Sequence, residues 1–301
     1  MKGLHLAIVL AVAGLLPGAA AAQAPAKTGI LLLAHGGQPQ WNQSVADVAR
    51  RVDAQVPTEV AFGMATRVNI KGAMDRLIAR GVTSIVAVPL FISSHSSVIT
   101  STEFLLGLRR EAPADLARFA KMSHGGHGEA ANEHAHHSED PASPIASGIP
   151  VRMTAAFNRH PLVGAMLADR ARSISTAPAG EAVIVVAHGP VPDDDNARWL
   201  GDMAVLAEHV RAAAPFASVD FMTVRDDAGA AIREAATREL RQKVEAQRAL
   251  GRRVLIVPHL MSFGGIEKGL LKRLEGLEYT ITTQALMPDD RIVEWVLQSA
   301  R

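Results

Sequence analysis

The chain has 301 residues, 48% of them hydrophobic, which is enough for two packed domains of roughly 100 to 150 residues each. Lys and Arg total 31 against 30 for Asp and Glu, so a net charge of +1 gives no electrostatic footprint for nucleic acid or an anionic membrane. Aromatic residues make up 4%, too few for a base-stacking platform, and the absence of cysteine excludes disulfides, Cys-ligated zinc and iron–sulfur clusters. Any metal must rest on histidine, carboxylate or a cofactor's nitrogens.

In chain order, the basic start Met1-Lys-Gly-Leu-His, the apolar run Leu6 to Leu16 and the small-residue stretch Pro17 to Ala24 have the three parts of a secretory signal peptide, predicted over 1–24. The apolar run is short of the roughly 20 residues a spanning helix needs. A periplasmic or secreted protein, with no stable membrane insertion after cleavage, is the expectation. Short β-branched runs then alternate with helical stretches, the pattern of βαβ units around parallel sheets. Eight strands are predicted: Ile30 to Ala34, Glu59 to Met64, Ile85 to Phe91, Val151 to Ala155, Val183 to Ala187, Val219 to Met222, Val254 to Leu260 and Tyr279 to Gln284. Val45, Val48, Ala49 and Val52 mark one helical core stripe, and Ile70, Met74, Leu77 and Ile78 mark another.

The first four strands match the last four in order and detail. Leu32-Leu-Ala-His35-Gly recurs as Val185-Val-Ala-His188-Gly, and Val88-Pro-Leu recurs as Val257-Pro-His. This reads as an internal duplication. The expected architecture is α/β, with two similar lobes, 28–175 and 181–301, each a parallel four-stranded sheet flanked by helices, facing each other across a cleft. One segment breaks the symmetry, a loop over 121–145 rich in Gly, Ala, His and acids and closed by two prolines, which cannot build a core.

His35 and His95 are the leading site candidates. Each follows a predicted parallel strand, which puts its imidazole at the carboxyl edge of an α/β sheet, where ligand crevices lie in doubly wound folds. Near neutral pH an ordinary imidazole is mostly uncharged, able to donate a lone pair to a divalent ion or to accept a proton.

Leu33-Ala-His35-Gly, Glu59-Val-Ala-Phe, the helix from Ile70 to Leu77 followed by Gly81, and Val88-Pro-Leu-Phe ending in His95 together resemble the CbiX and SirB type of class II tetrapyrrole chelatase, which inserts cobalt or iron into sirohydrochlorin. The resemblance covers most of the chain after residue 24. It implies a divalent metal ion as substrate, Co²⁺ or Fe²⁺ with Ni²⁺ a third candidate, a tetrapyrrole as the small-molecule partner, and a place in tetrapyrrole or cobalamin biosynthesis. It gives His35 and His95 the role of holding the incoming ion. Departures accompany it: Met64 stands where the family commonly has an acid, the turn after His95 reads Val98-Ile-Thr, Gly264 stands at the position matching His95, and a signal peptide is unusual for the family.

Insertion also needs a base for two pyrrole protons, and Glu267 and Glu103 are the available carboxylates, Glu267 the leading one. His188 lacks a partner histidine and reads as a tetrapyrrole contact or a relic. His259 and His160 read as structural. The loop histidines His124, His127, His134, His136 and His137 read either as metal-capturing ligands or as a solvated loop without purpose, and without fixed geometry they should follow the intrinsic order favouring Cu²⁺, Ni²⁺ and Zn²⁺. Other chemistries lack their parts. No Gly-x-Ser-x-Gly elbow accompanies His35-Gly-Gly, Ala34 and Ala187 stand where a phosphohistidine mutase needs arginine, and no Gly-x-Gly-x-x-Gly follows a strand. The alternative to an enzyme is a non-catalytic periplasmic metal- or haem-binding protein on the same fold; the oligomeric state stays open.

Overall fold

The computed structural model describes residues 27–122 and 140–301. The predicted signal peptide and the five loop histidines His124, His127, His134, His136 and His137 lie outside the described residues. The first sheet holds β1 (Thr28–Ala34), β2 (Thr58–Phe62), β3 (Ser84–Pro89) and β4 (Val151–Met153) in the order β2-β1-β3-β4, all parallel. The second holds β5 (Glu181–Ala187), β6 (Ser218–Thr223), β7 (Arg253–His259) and β8 (Thr280–Ile281) in the order β6-β5-β7-β8, again all parallel.

All eight predicted strands are present, with differences at the edges. β8 was expected over 279–284 but pairs only over Thr280–Ile281, because it is an edge strand and the chain leaves the ladder at Thr282. Ile78 was expected in the core stripe of α2 (Arg67–Ala79), yet it is 36% exposed while Ile70, Met74 and Leu77 are buried. One residue beyond Leu77 turns about 100° further round the helix, which takes it off the apolar stripe.

Period-two alternation sends each central strand's side chains into two cores. Ile30, Leu32 and Ala34 of β1 join Val183, Val185 and Ala187 of β5 in one core shared by the two halves. Leu31 and Leu33 face a second core with α2, and Ile184 and Val186 face a third with α7 (Ala230–Ala249).

Helices that cross from one half to the other fill the shared core. α5 (Pro161–Ile174) follows β4 but packs on α6 (Asp193–Ala213) and β7; α9 (Arg291–Ser299) follows β8 but packs on α1 (Pro39–Asp53). Buried Gly164 lets α5 approach the His209 ring of α6 closely. Phe157, just before α5, meets Trp295 of α9 edge to face at 4.3 Å, with both side chains in the core. Arg170 reaches Asp289 at 3.0 Å and Arg291 reaches Asp169 at 2.7 Å, pinning the start of α9 to α5. Among the described residues no helix is long and apolar enough to cross a membrane.

Glu181 anchors the segment joining the two sheets. Its side chain is 1% exposed and accepts hydrogen bonds from the Ser175 hydroxyl, from the Thr176 backbone N–H at 2.9 Å, and from the Arg253 guanidinium at 2.7 Å. Burial alone would push the carboxyl up, but the bonds from Ser175, Thr176, Ala177 and Arg253 outweigh it and hold it at about 2, against an ordinary 4.5. A carboxyl depressed on folding contributes stability that is present above its unfolded value and is lost as pH falls through its folded value. The expected contribution is on the order of 3 kcal/mol at neutral pH. In urea unfolding, Glu181→Gln should therefore lose about that much at pH 7, and the gap to wild type should shrink from pH 4.5 towards pH 2. A gap that stays constant across that window would contradict this role.

Candidate functional site

His35 directly follows β1, and Phe91 lies just beyond β3, its neighbour in the sheet. Leu33 pairs with Pro89, so His35 and Phe91 leave the carboxyl edge side by side, and their rings lie 6.3 Å apart. Trp41, in the first turn of α1, stacks on His35 at 4.7 Å with ring planes 11° apart and donates its indole N–H to the His35 carbonyl at 2.6 Å. His35 Nδ1 faces the Gly36 carbonyl oxygen at 3.2 Å. A carbonyl only accepts, so in the neutral ring Nδ1 carries the hydrogen and Nε2 keeps its lone pair. Burial lowers the His35 pKa below the ordinary imidazole value, opposed by the Gly36 bond, and this favours the neutral form that can ligate a metal.

His95 lies in the turn between β3 and α3 (Ser97–Leu105). Its backbone N–H donates to the Ser93 hydroxyl at 3.1 Å, and the Ser94 N–H donates to the Asn158 side chain at 2.7 Å. The second half of the chain holds the same turn from the other side: Trp199 of α6 donates its indole N–H to the His95 carbonyl at 2.9 Å. One turn further along α6, Asp202 faces the His95 ring, with Oδ2 3.9 Å from Nε2. Burial pushes the Asp202 carboxyl up, while His95 and Arg159 pull it down.

His188, after β5, repeats the His35 arrangement, with Nδ1 2.7 Å from the Gly189 carbonyl. Gly189 has φ +78°, and a side chain there would strike Thr223, so only glycine fits this turn. His188 Nε2 lies 3.2 Å from an Asp227 carboxylate oxygen, so its second nitrogen is already engaged. Gly264 stands directly before α8 (Gly265–Arg273) and offers no ligand. Glu267, in the first turn of α8, and Glu103, on α3, are half-buried, and among the described residues neither is hydrogen-bonded or ion-paired to a histidine. His160 caps α5 by accepting from the Leu162 N–H at 3.3 Å, a structural role. His259 is buried at the end of β7, and burial pushes it down to about 4.

Among the described residues no three His, Asp or Glu side chains gather closely enough to hold a metal ion together. A surface hollow of about 390 Å³ runs along α9 beside Arg51, and none of the site histidines lines it.

Residues 29–174 match the model of a known protein family, CbiX. This segment of the chain is similar to the CbiX family. No curated protein sequence matches the chain. Among solved structures it is similar to SirB from Bacillus subtilis with Fe³⁺, with a TM-score of 0.61 and 16% identity over 91% of this chain and 94% of that one. It is also similar to the sirohydrochlorin chelatase SirB from Bacillus subtilis subspecies spizizenii in complex with cobalt, with a TM-score of 0.58 and 15% identity over the same shares. A multi-domain protein of Deinococcus radiodurans, described as similar in structure to chelatases, matches at a TM-score of 0.52 and 18% identity over 91% of this chain and 54% of that one. At these identities the likeness shows the fold alone: two parallel sheets in the same arrangement, spanned by both halves of this chain.

The sequence pointed to His35, His95 and His188 but not to Trp41, Trp199, Asp227 or Asp202. Asp202 had a legible signal, because it interrupts the apolar stripe of α6 that runs through Trp199, Met203, Leu206 and Val210. The stacked indole of Trp41 supplies much of the cover over His35. Trp41→Ala should therefore raise the His35 pKa towards the ordinary value of about 6.5, measured by the pH titration of its ring protons in NMR. An unchanged titration would mean that other groups exclude the water.

Proposed function

We propose that the chain is a chelatase of the sirohydrochlorin type, which binds a tetrapyrrole at the carboxyl edges of its sheets and inserts Co²⁺ or Fe²⁺ taken from His35 and His95. The observation that supports this reading most is a histidine beyond each of two adjacent parallel strands of the CbiX-matching segment, His35 directly after β1 and His95 in the turn after β3, with no partner for His35 Nε2 among the described residues. Iron and cobalt are the ions in the two SirB structures, which favours them over Ni²⁺ as substrate.

The chemistry asked of the residues is modest. The ion must be held weakly, with positions open for four pyrrole nitrogens, and two histidines meet that need better than a closed three- or four-ligand site. The two pyrrole N–H protons released as the ion enters need an acceptor. Asp202 stands nearest to His95 for that task, and Glu267 keeps the claim only if substrate draws it in. His188 is proposed as a tetrapyrrole contact, and the five loop histidines as metal-capturing ligands ahead of the site. The 1–24 segment supports export to the periplasm.

A second reading, a non-catalytic periplasmic metal- or haem-binding protein, draws support from one observation: neither Glu267 nor Glu103 contacts a histidine, so the expected proton relay is missing from its expected place. Absorbance of sirohydrochlorin with Co²⁺ separates the two. A chelatase should accelerate insertion, with His35→Ala and His95→Ala each slowing it about 100-fold or more and His188→Ala slowing it less. A wild-type rate equal to the uncatalysed one, with metal still bound through these histidines, would establish the second reading instead.

A further inference from the structure

Asp202 belongs to the second half of the chain but faces the His95 turn of the first. Its side chain is 14% exposed, and Oδ2 is buried with no hydrogen-bond partner among the described residues. The two nitrogen groups near it stand off: Arg159 Nε is 3.9 Å from Oδ1 with its side chain 69% exposed, and His95 Nε2 is 3.9 Å from Oδ2. Neither distance is a hydrogen bond. Leaving a buried carboxylate oxygen unpaired costs free energy, so a structure that keeps one calls for an explanation such as a bound ion.

The separation is not slack in a loose region. Trp199 holds α6 to the His95 carbonyl, and Asn158 and Ser93 take the backbone N–H groups of Ser94 and His95, so the gap between ring and carboxylate is set by contacts that involve neither group. Two lone-pair donors held apart and facing each other are the arrangement a cation completes. With metal–ligand bonds of about 2.1 Å, two ligands of one ion lie about 3.0 to 3.4 Å apart for right-angled to tetrahedral geometry. Closing 3.9 Å to that range takes roughly half an ångström, within the reach of a carboxylate rotation.

We propose that the divalent ion on its way to the tetrapyrrole is held between His95 Nε2 and Asp202 Oδ2, so that the second half of the chain supplies a metal ligand to the first. The proposal takes from the preceding reading only that His95 binds a divalent ion. It gives the half without a full histidine pair a direct part in the site. An oxygen-plus-nitrogen pair suits Co²⁺ and Fe²⁺ without closing the coordination sphere.

Trp199 is a built-in reporter, because its indole is bonded to the His95 carbonyl and the chain holds only three tryptophans. In a Trp41→Phe, Trp295→Phe background of the full chain, Co²⁺ is titrated against Trp199 fluorescence, which reads the indole bonded to the His95 turn. Asp202→Asn should raise the half-saturating Co²⁺ concentration roughly tenfold or more, His95→Ala should do the same, and Asp202→Glu, which keeps the carboxylate, should bind more tightly than Asp202→Asn. Thermal melting of Asp202→Asn alongside shows that it is folded. If Asp202→Asn binds within about twofold of its parent, whether or not His95→Ala is impaired, the carboxylate is no ligand and the proposal is overturned. Insertion into sirohydrochlorin is measured separately on the same proteins: Asp202-dependent binding without insertion leaves the metal site standing and removes the chelatase reading.

Discussion

The arrangement of this molecule depends on the core shared between its two sheets. α5 leaves the first sheet and packs on α6 and β7, and α9 leaves the second and packs on α1, so each half is completed by a helix from the other. Burying apolar surface is worth about 25 cal/mol per Å², and the residues doing it here, Phe157, Trp295, Met166 and the inner faces of β1 and β5, join both halves into one hydrophobic body. The consequence for function is positional. Because α6 is held in this core, its first turns meet the turn after β3, and a side chain from residue 199 or 202 comes to rest against His95 more than a hundred residues earlier.

Local chemistry at the strand ends then selects which histidine nitrogen is available. In both halves the ring turns Nδ1 to the carbonyl of the following glycine, which directs Nε2 outward. The two sites diverge from there. His35 keeps Nε2 free under the cover of Trp41, whereas His188 Nε2 meets Asp227. The same local fold thus yields two histidines in different surroundings, one under an indole and one beside a carboxylate.

Much of the fold was legible in the sequence because period-two runs and helical stripes are local properties. β1 and β5 have the doubly buried pattern that Ile30 to Ala34 and Val183 to Ala187 announce, and the core stripe from Val45 to Val52 is buried as its spacing requires. The exchange of α5 and α9 was not legible, since an amphipathic helix advertises an apolar face but not the surface that will cover it. The site followed the same division. His35 and His95 sit in strand-end motifs that can be read directly. Asp202 and Trp199 come to lie beside His95 only through the helix exchange, so the single hint available was an acid set in a buried stripe. Glu267 was expected as a carboxylate near the cleft, and among the described residues it is bonded to no histidine.

The most direct test of the account is the anomalous diffraction of crystals of the protein soaked with Co²⁺. The account predicts a peak beside His95, within coordination distance of Nε2 and of Asp202, with His35 facing the same crevice. Peaks confined to His188 and Asp227, or none at the carboxyl edge of the first sheet, would contradict it.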